Sequence, residues 1–216
     1  MGAIACGVTA VEVDVRVTRD GALVLSHDAT LERVAGKPVE VSRSDLDELR
    51  RVEFRGERIA TLADIAEAVR GVTSLDLDVK VPGFEEEIAK EISDHGDIRR
   101  TLFTSFDPDV VSRFKLASPE VRTGLIEQAA FSEATEIAVE IGADCILPEV
   151  SDVDVESIRR AKGAKLAVVP WTVDDPSVAL HLLQMGADGL VTNDPCGLAK
   201  HVLGWRAEVQ RSSKEP

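Results

Sequence analysis

The sequence predicts an α/β fold, a TIM (β/α) barrel, and three observations predict it. Short β-branched segments alternate with amphipathic helical ones along almost all of the 216 residues, which is the pattern of a parallel sheet with crossover helices. Three segments share one grammar: AIACGVTAVEVDV (Ala3–Val15), AVEIGADCILPEV (Ala138–Val150) and LLQMGADGLVTND (Leu182–Asp194). Each runs from an apolar helix end, through a Gly suited to a left-handed C′ position, into a short strand. No G-x-G-x-x-G follows any strand, so a dinucleotide-binding doubly wound sheet has no support.

The elements follow in order. Ala3–Cys6 reads as the end of a helix, and VEVDV as the first strand. The helix at Leu62–Val69 opens with Thr61 and Asp64, a pair spaced like a capping box. SLDLDVK (Ser74–Lys80) is a strand, followed by a helix over Phe84–His95. TLFTSF (Thr101–Phe106) leads to a helix with Asp107 as N-cap and Pro108 at N1. VRTGLI (Val121–Ile126) precedes a helix over Ser132–Ile141, and KLAVVPW (Lys165–Trp171) precedes one over Pro176–Met185. With CILPEV and GLVTND this makes seven strands. A barrel closes on eight, so the first βα unit lacks its strand and the start of its helix. Met1 is expected to fall inside that unit, by truncation or by natural shortening. An open seam of this kind could support an oligomer. No composition break divides the chain, so residues 1–205 read as one domain and 206–216 as a polar tail.

Hydrophobic residues make up 44% and charged residues 30%, a composition that supports one soluble core. No apolar run reaches the roughly 18 residues of a membrane span. No secretory leader pattern is visible at the N-terminus, and the expectation is a cytoplasmic protein. A net charge of −14 argues against a nucleic-acid partner. Cys6, Cys145 and Cys196 are odd in number and dispersed, fitting neither a disulfide framework nor a zinc site; buried thiols are expected.

The chemistry gathers on two strands. In VEVDV the valines share one face, and Glu12 and Asp14 share the other. In LDLDVK, Asp76, Asp78 and Lys80 share a face. If the valines pack outward against helices, the acids point inward near the strand ends where barrel enzymes build their sites. Converging carboxylates stay ionised around a cation, and all-oxygen donors suit Mg²⁺ or Ca²⁺ better than Zn²⁺. The alternative is a solvated acidic edge. His27, shortly after the acidic strand, is placed to act as a general acid or base. His95, His181 and His201 lie on predicted helices and read as surface or packing residues.

These motifs resemble the glycerophosphodiester phosphodiesterase family of phospholipase-C-like TIM barrels, almost end to end. AVEVDVRVTRDGALVLSHDATLERVAG is similar to its E-x-D, D-G and H-D segment, and LDLDVK to its E-x-K strand. TSFDPDVV, VVPWTVDD and GADGLVTNDP resemble its S-F, W-T-V and closing segments. The resemblance implies metal-dependent hydrolysis of small glycerophosphodiesters to glycerol 3-phosphate and an alcohol. It implies Glu12, Asp14 and Asp78 as ligands of a divalent ion, Asp78 standing where the family usually has Glu. It implies His27 as one of two catalytic histidines and Lys80 as a catalytic residue that holds the phosphate. Phe106 and Trp171 would line the glycerol pocket, with core packing as their alternative; Asp194 would cap the last helix. The family's opening H-R-G and P-E-N-T do not occur here. They belong to the segment that the strand count finds missing, so weak activity or none is expected of this chain. The alternative is a catalytically impaired barrel that binds a phosphorylated ligand or a partner; a weaker one is another metal-dependent lyase or isomerase.

Overall fold

The computed structural model describes residues 2–127 and 130–202. In chain order its elements are α1 (Gly2–Ala5), β1 (Ala10–Val17), β2 (Leu23–Leu25), α2 (Glu32–Ala35), α3 (Leu46–Arg50), α4 (Leu62–Val69), β3 (Ser74–Val79) and α5 (Glu85–His95). There follow β4 (Thr101–Ser105), α6 (Pro108–Ala117), β5 (Arg122–Glu127), α7 (Phe131–Glu140), β6 (Cys145–Pro148), α8 (Val155–Gly163), β7 (Ala167–Val168) and α9 (Pro176–Met185). This is an α/β fold with mostly parallel strands. The chain divides into two compact units, Ala10–Thr123 and Met1–Thr9 with Gly124–Pro216. The tail proposed at 206–216 lies outside the described residues.

In the unit spanning Ala10–Thr123, strand order is β2-β1-β3-β4. β1 and β3 run parallel, with Val13 opposite Leu77, Glu12 opposite Asp76 and Asp14 opposite Asp78. That register puts two acid pairs in adjacent rows, because side chains repeat every second residue. The other face of β3 carries Leu75, Leu77 and Val79, all buried. β4 extends the parallel set, Asp78 opposite Thr104. Its Phe103 stacks on Phe114 of α6 with ring centroids 4.6 Å apart, joining sheet to helix. β2 turns back antiparallel on β1 through Thr18–Ala22, where Gly21 takes φ 84° and the Thr18 hydroxyl accepts from Ala22 N–H. A second core of Val24, Leu31, Val41, Leu49, Val52 and Ile59 sits under the long segment before α4. The predicted caps form: Thr61 and Asp64 make a capping box on α4, and Asp107 accepts from Asp109 N–H ahead of Pro108.

In the other unit, β5, β6 and β7 run parallel in that order. Gly7, Gly142 and Gly186 all adopt positive φ after helices α1, α7 and α9, as the shared grammar requires. Val173, Ala179, Leu182, Ala187 and Leu198 form its core cluster.

Three expectations are corrected. The strand predicted over Lys165–Trp171 contracts to Ala167–Val168, and Gly189–Thr192 is not a strand. The reason lies in Asp188: its carboxylate accepts from Val168 N–H at 2.8 Å while its own N–H donates to Val168 O. A side chain thus replaces a ladder carbonyl, and only scattered bonds such as Val191 N–H to Pro170 O continue the pairing. The seventh strand is instead the antiparallel β2. The cysteines also differ: Cys145 is a buried thiol outside any disulfide, as expected, but Cys6 and Cys196 are joined in one. Their separation of 190 residues conceals the pair in sequence, and the fold brings their Cα atoms to 4.9 Å.

Candidate active site

The parallel register of β1 and β3 delivers Glu12, Asp14 and Asp78 to one place. One carboxylate oxygen of each lies within 4.8 Å of the other two. Lys80, just beyond β3, reaches back into this group. Its ammonium lies 2.9 Å from Asp14 Oδ1 and pairs with Asp78 Oδ2. It also sits 5.2 Å from the centre of the Phe106 ring, a cation–π distance. Asp78 is buried, Asp14 half-buried and Glu12 exposed. The trio therefore runs from interior to surface, with Glu12 the most reachable.

The electrostatics are those of an incomplete site. Glu12 is exposed as a residue, yet the protein packed around its carboxyl desolvates that group; this first, then repulsion from Asp14, Asp76 and Asp78, pushes it up to about 8, against the pull of Lys80. Burial raises Asp78 too, offset by the hydrogen bond and charge of Lys80. Asp78 Oδ1 is buried with no hydrogen-bond partner. A buried acceptor left unmet costs about 1–3 kcal/mol, and a metal ion would satisfy it. With all three carboxylates ionised against one ammonium, two negative charges remain, which one divalent cation would balance. The donors are all oxygens, the set a hard cation takes. Glu12, Asp14 and Asp78 thus fit a metal ion.

Asp76 is different. It is buried below the trio, opposite Glu12, and Thr104 Oγ donates to its Oδ1 at 2.8 Å. Burial pushes it up to about 7, with the Thr104 bond opposing and Asp78 adding. The sequence reading placed Asp76 on the acidic face but did not foresee Thr104 as its partner; the parallel alignment of TLFTS with LDLDV is the signal that could have.

His27 lies in the loop after β2, its side chain 65% exposed. Its charge lowers the Asp78 pKa, so the imidazole is within electrostatic range of the trio. The loop is pinned by Arg16, whose Nη2 donates to His27 O at 2.8 Å and whose Nε donates to Ser26 O at 3.2 Å. Ser26 N–H donates to Asp14 O at 3.0 Å. Phe106 is 37% exposed, which overturns core packing as its alternative role. Trp171 belongs to the other unit, where its indole N–H donates to Leu147 O at 2.8 Å. Asp194 caps the helix at 195–202, as expected, accepting from Gly197 N–H at 2.9 Å. His95 and His201 lie on helices and bond Glu67 and Gly197 O.

A mostly parallel α/β scaffold that gathers a carboxylate trio with an inserted lysine defines a class of α/β proteins with a candidate cation site, and comparison gives the family. Residues 1–196 match the glycerophosphoryl diester phosphodiesterase family, and the chain belongs to it. A glycerophosphodiester phosphodiesterase of Caldanaerobacter subterraneus is 28% identical over 207 residues, covering 89% of this chain and 85% of its own. A relative from Mycobacterium tuberculosis is 31% identical over 214 residues, covering 92% and 80%. Among solved structures, an Oleispira antarctica phosphodiesterase in complex with the product sn-glycerol-3-phosphate superimposes with a TM-score of 0.85 at 25% identity, covering 92% of this chain and 87% of that one. The glycerophosphodiester phosphodiesterase of Thermotoga maritima shares the fold, with a TM-score of 0.78 at 24% identity and coverage of 92% and 88%. Among the described residues no helix is long and apolar enough to cross a membrane.

Proposed function

We propose that this chain hydrolyses small glycerophosphodiesters to glycerol 3-phosphate and an alcohol, using Mg²⁺ or Ca²⁺ held by Glu12, Asp14 and Asp78, within one domain over residues 1–205. The observation that carries the reading is the convergence of three carboxylates within 4.8 Å, with Asp78 Oδ1 buried and unmet. Family membership and the product-bound Oleispira neighbour support the substrate class.

The chain's own residues divide the work. When bound, the ion supplies Lewis-acid polarisation of the phosphoryl oxygens. Lys80 contributes a fixed positive charge toward the phosphate, held in place by Asp14 and Asp78. Phe106 offers an exposed ring face beside that charge for the carbon skeleton, and Trp171 is proposed as a further wall of the glycerol pocket. His27 Nδ1 is engaged by Asp28. Nε2 is therefore the atom that takes the proton from the attacking hydroxyl or water, or returns one to the leaving alcohol. A cytoplasmic setting remains part of the proposal, and the Cys6–Cys196 disulfide tells against it, since such bonds are rare in reducing compartments.

The test is cleavage of glycerophosphocholine with Mg²⁺ or Ca²⁺, followed by release of choline. Glu12→Ala and His27→Ala should each lower kcat by about 10²-fold or more, the scale of one positioned proton-transfer group. Unchanged turnover in both variants would remove the site assignment.

A further inference from the structure

The loop that carries His27 is held by two arginines in different ways. Arg16 fixes the backbone, through His27 O and Ser26 O. Arg33, on the short helix α2, never touches His27; its Nε donates to Asp28 Oδ2 at 2.5 Å, while Asp28 Oδ1 faces His27 Nδ1 at 2.7 Å. The Asp28 carboxylate thus has one oxygen for the arginine and one for the imidazole. A further bond, from Ser26 Oγ to Asp28 O at 2.8 Å, fixes the backbone between them.

We propose that Arg33 is a positioning residue for the proton-transfer step, acting through Asp28 to hold His27 in the tautomer with its proton on Nδ1 and Nε2 free. The inference rests on the phosphodiesterase reading given above. A carboxylate can only accept, so a neutral imidazole opposite Asp28 Oδ1 must donate from Nδ1. The lone pair is then on Nε2. When Nε2 takes the proton from the nucleophile, the resulting imidazolium is balanced by Asp28, which stays ionised. The hydrogen bond from Arg33 first, then that of His27, holds the Asp28 carboxyl down to about 2. Without Arg33, Asp28 would be free to swing, and both the ring orientation and the tautomer would lose their anchor.

The competing account is an ordinary surface ion pair. The Arg33 side chain is 64% exposed, and exposed pairs contribute little to stability and nothing to chemistry. The two accounts separate in an activity and spectroscopic experiment on Arg33→Ala, Arg33→Lys and Asp28→Asn. With glycerophosphocholine, Arg33→Ala should lower kcat on the order of 10-fold, a fraction of what a positioned general base supplies, with KM nearly unchanged. Arg33→Lys should recover part of the loss, and Arg33→Ala should add nothing in a His27→Ala background. Independently of turnover, ¹⁵N NMR of the His27 ring should show the Nδ1–H tautomer predominant in the parent chain and depleted in Arg33→Ala and Asp28→Asn. An unchanged His27 tautomer in both variants, or an equal kcat loss from Arg33→Ala with and without His27, overturns the proposal. Absence of turnover in the parent chain would sink the phosphodiesterase reading while the ring spectrum still decided the role of Arg33.

Discussion

Two acidic sites, one in each compact unit, have opposite physics. Around Asp78 the acids crowd together, burial raises the pKa values of Glu12 and Asp78, and one Asp78 oxygen has no hydrogen-bond partner. Around Asp174 every oxygen is met. Oδ1 accepts from Thr192 Oγ at 2.9 Å and from Asn193 N–H at 2.8 Å, and Oδ2 accepts from Asn193 Nδ2 at 3.3 Å. The Asn193 N–H bond first, then that of Thr192, lowers the Asp174 pKa. The first cluster leaves like charges close together with an acceptor unmet, and it could hold a cation; the second has its acceptors met by hydrogen bonds. Acidity alone does not mark a candidate metal site; converging carboxylates with an unmet acceptor make one.

The largest effect should come from breaking the first cluster. Asp78→Asn keeps the size of the side chain and removes one ligand charge. It should lower kcat/KM for glycerophosphocholine by about 10³-fold, equivalent to roughly 4 kcal/mol of transition-state stabilisation. The same variant should abolish the thermal stabilisation that Mg²⁺ or Ca²⁺ gives the parent chain, on the order of 2.7 kcal/mol at a hundredfold excess over Kd. Retained metal stabilisation in Asp78→Asn would show that the ion binds elsewhere.

A second effect concerns the unit that contains Asp174 but not the cluster itself. The Cys6–Cys196 bond closes a loop of about 190 residues. Chain-entropy reasoning gives such a bond about 5 kcal/mol. Cys196→Ser, or reduction by dithiothreitol, should lower the free energy of unfolding by that order. Mass spectrometry of the non-reduced peptides should show Cys6 joined to Cys196 and Cys145 unmodified. A free thiol count of three in the native protein would rule the linkage out.

The sequence and the fold meet unevenly, for reasons that individual residues make plain. Capping is local, so Thr61 with Asp64 and Asp107 with Pro108 are legible in a few consecutive letters. The acid trio is nearly as legible, because period-two alternation puts Glu12 with Asp14 and Asp76 with Asp78 before any register is known. The Thr104 bond to Asp76 depends on the alignment of β3 with β4, and pairing between strands is written nowhere in either one. The disulfide is the extreme case, since its partners are separated by almost the whole chain. Asp28 lies in a loop and Arg33 five residues on, in the short helix α2, and no periodicity announces that their side chains meet. The strand lost at Gly189–Thr192 fails for another reason: Asp188 has a side chain short enough to take a ladder position, and propensity does not encode that substitution.

The pH dependence of stability sharpens the contrast. Asp76 stands at an ordinary 3.8 when unfolded and is pushed up to about 7 by burial in the folded chain. Below about pH 4 both states hold the proton. Between pH 4 and 7 only the folded state holds it, so stability is greatest at low pH and falls as pH rises through that window, levelling above 7. The loss should be a few kcal/mol at most. In EDTA-treated protein, Asp76→Asn should reduce the fall between pH 5 and 8 measured by urea unfolding. Some slope should remain, because Glu12, raised to about 8, has the same sign. A steeper fall in Asp76→Asn would reverse the assignment.

The smallest effect belongs to the complete cluster, and its smallness is what the comparison requires. Asp174 is exposed, so each of its hydrogen bonds competes with water and contributes little. Asp174→Ala removes all three and should cost about 1 kcal/mol. Asp174→Asn retains the Oδ1 acceptor for Thr192 and Asn193 N–H and loses only the long bond at Oδ2, where its amide would confront the Asn193 amide; it should cost less than Asp174→Ala. Chemical denaturation of the two variants gives the order directly. Neither should alter the stabilisation by Mg²⁺ or Ca²⁺, because this carboxylate has no unmet oxygen to offer a cation. If Asp174→Asn weakened metal binding as strongly as Asp78→Asn, saturation by hydrogen bonds would no longer separate a structural acid from a metal ligand in this chain.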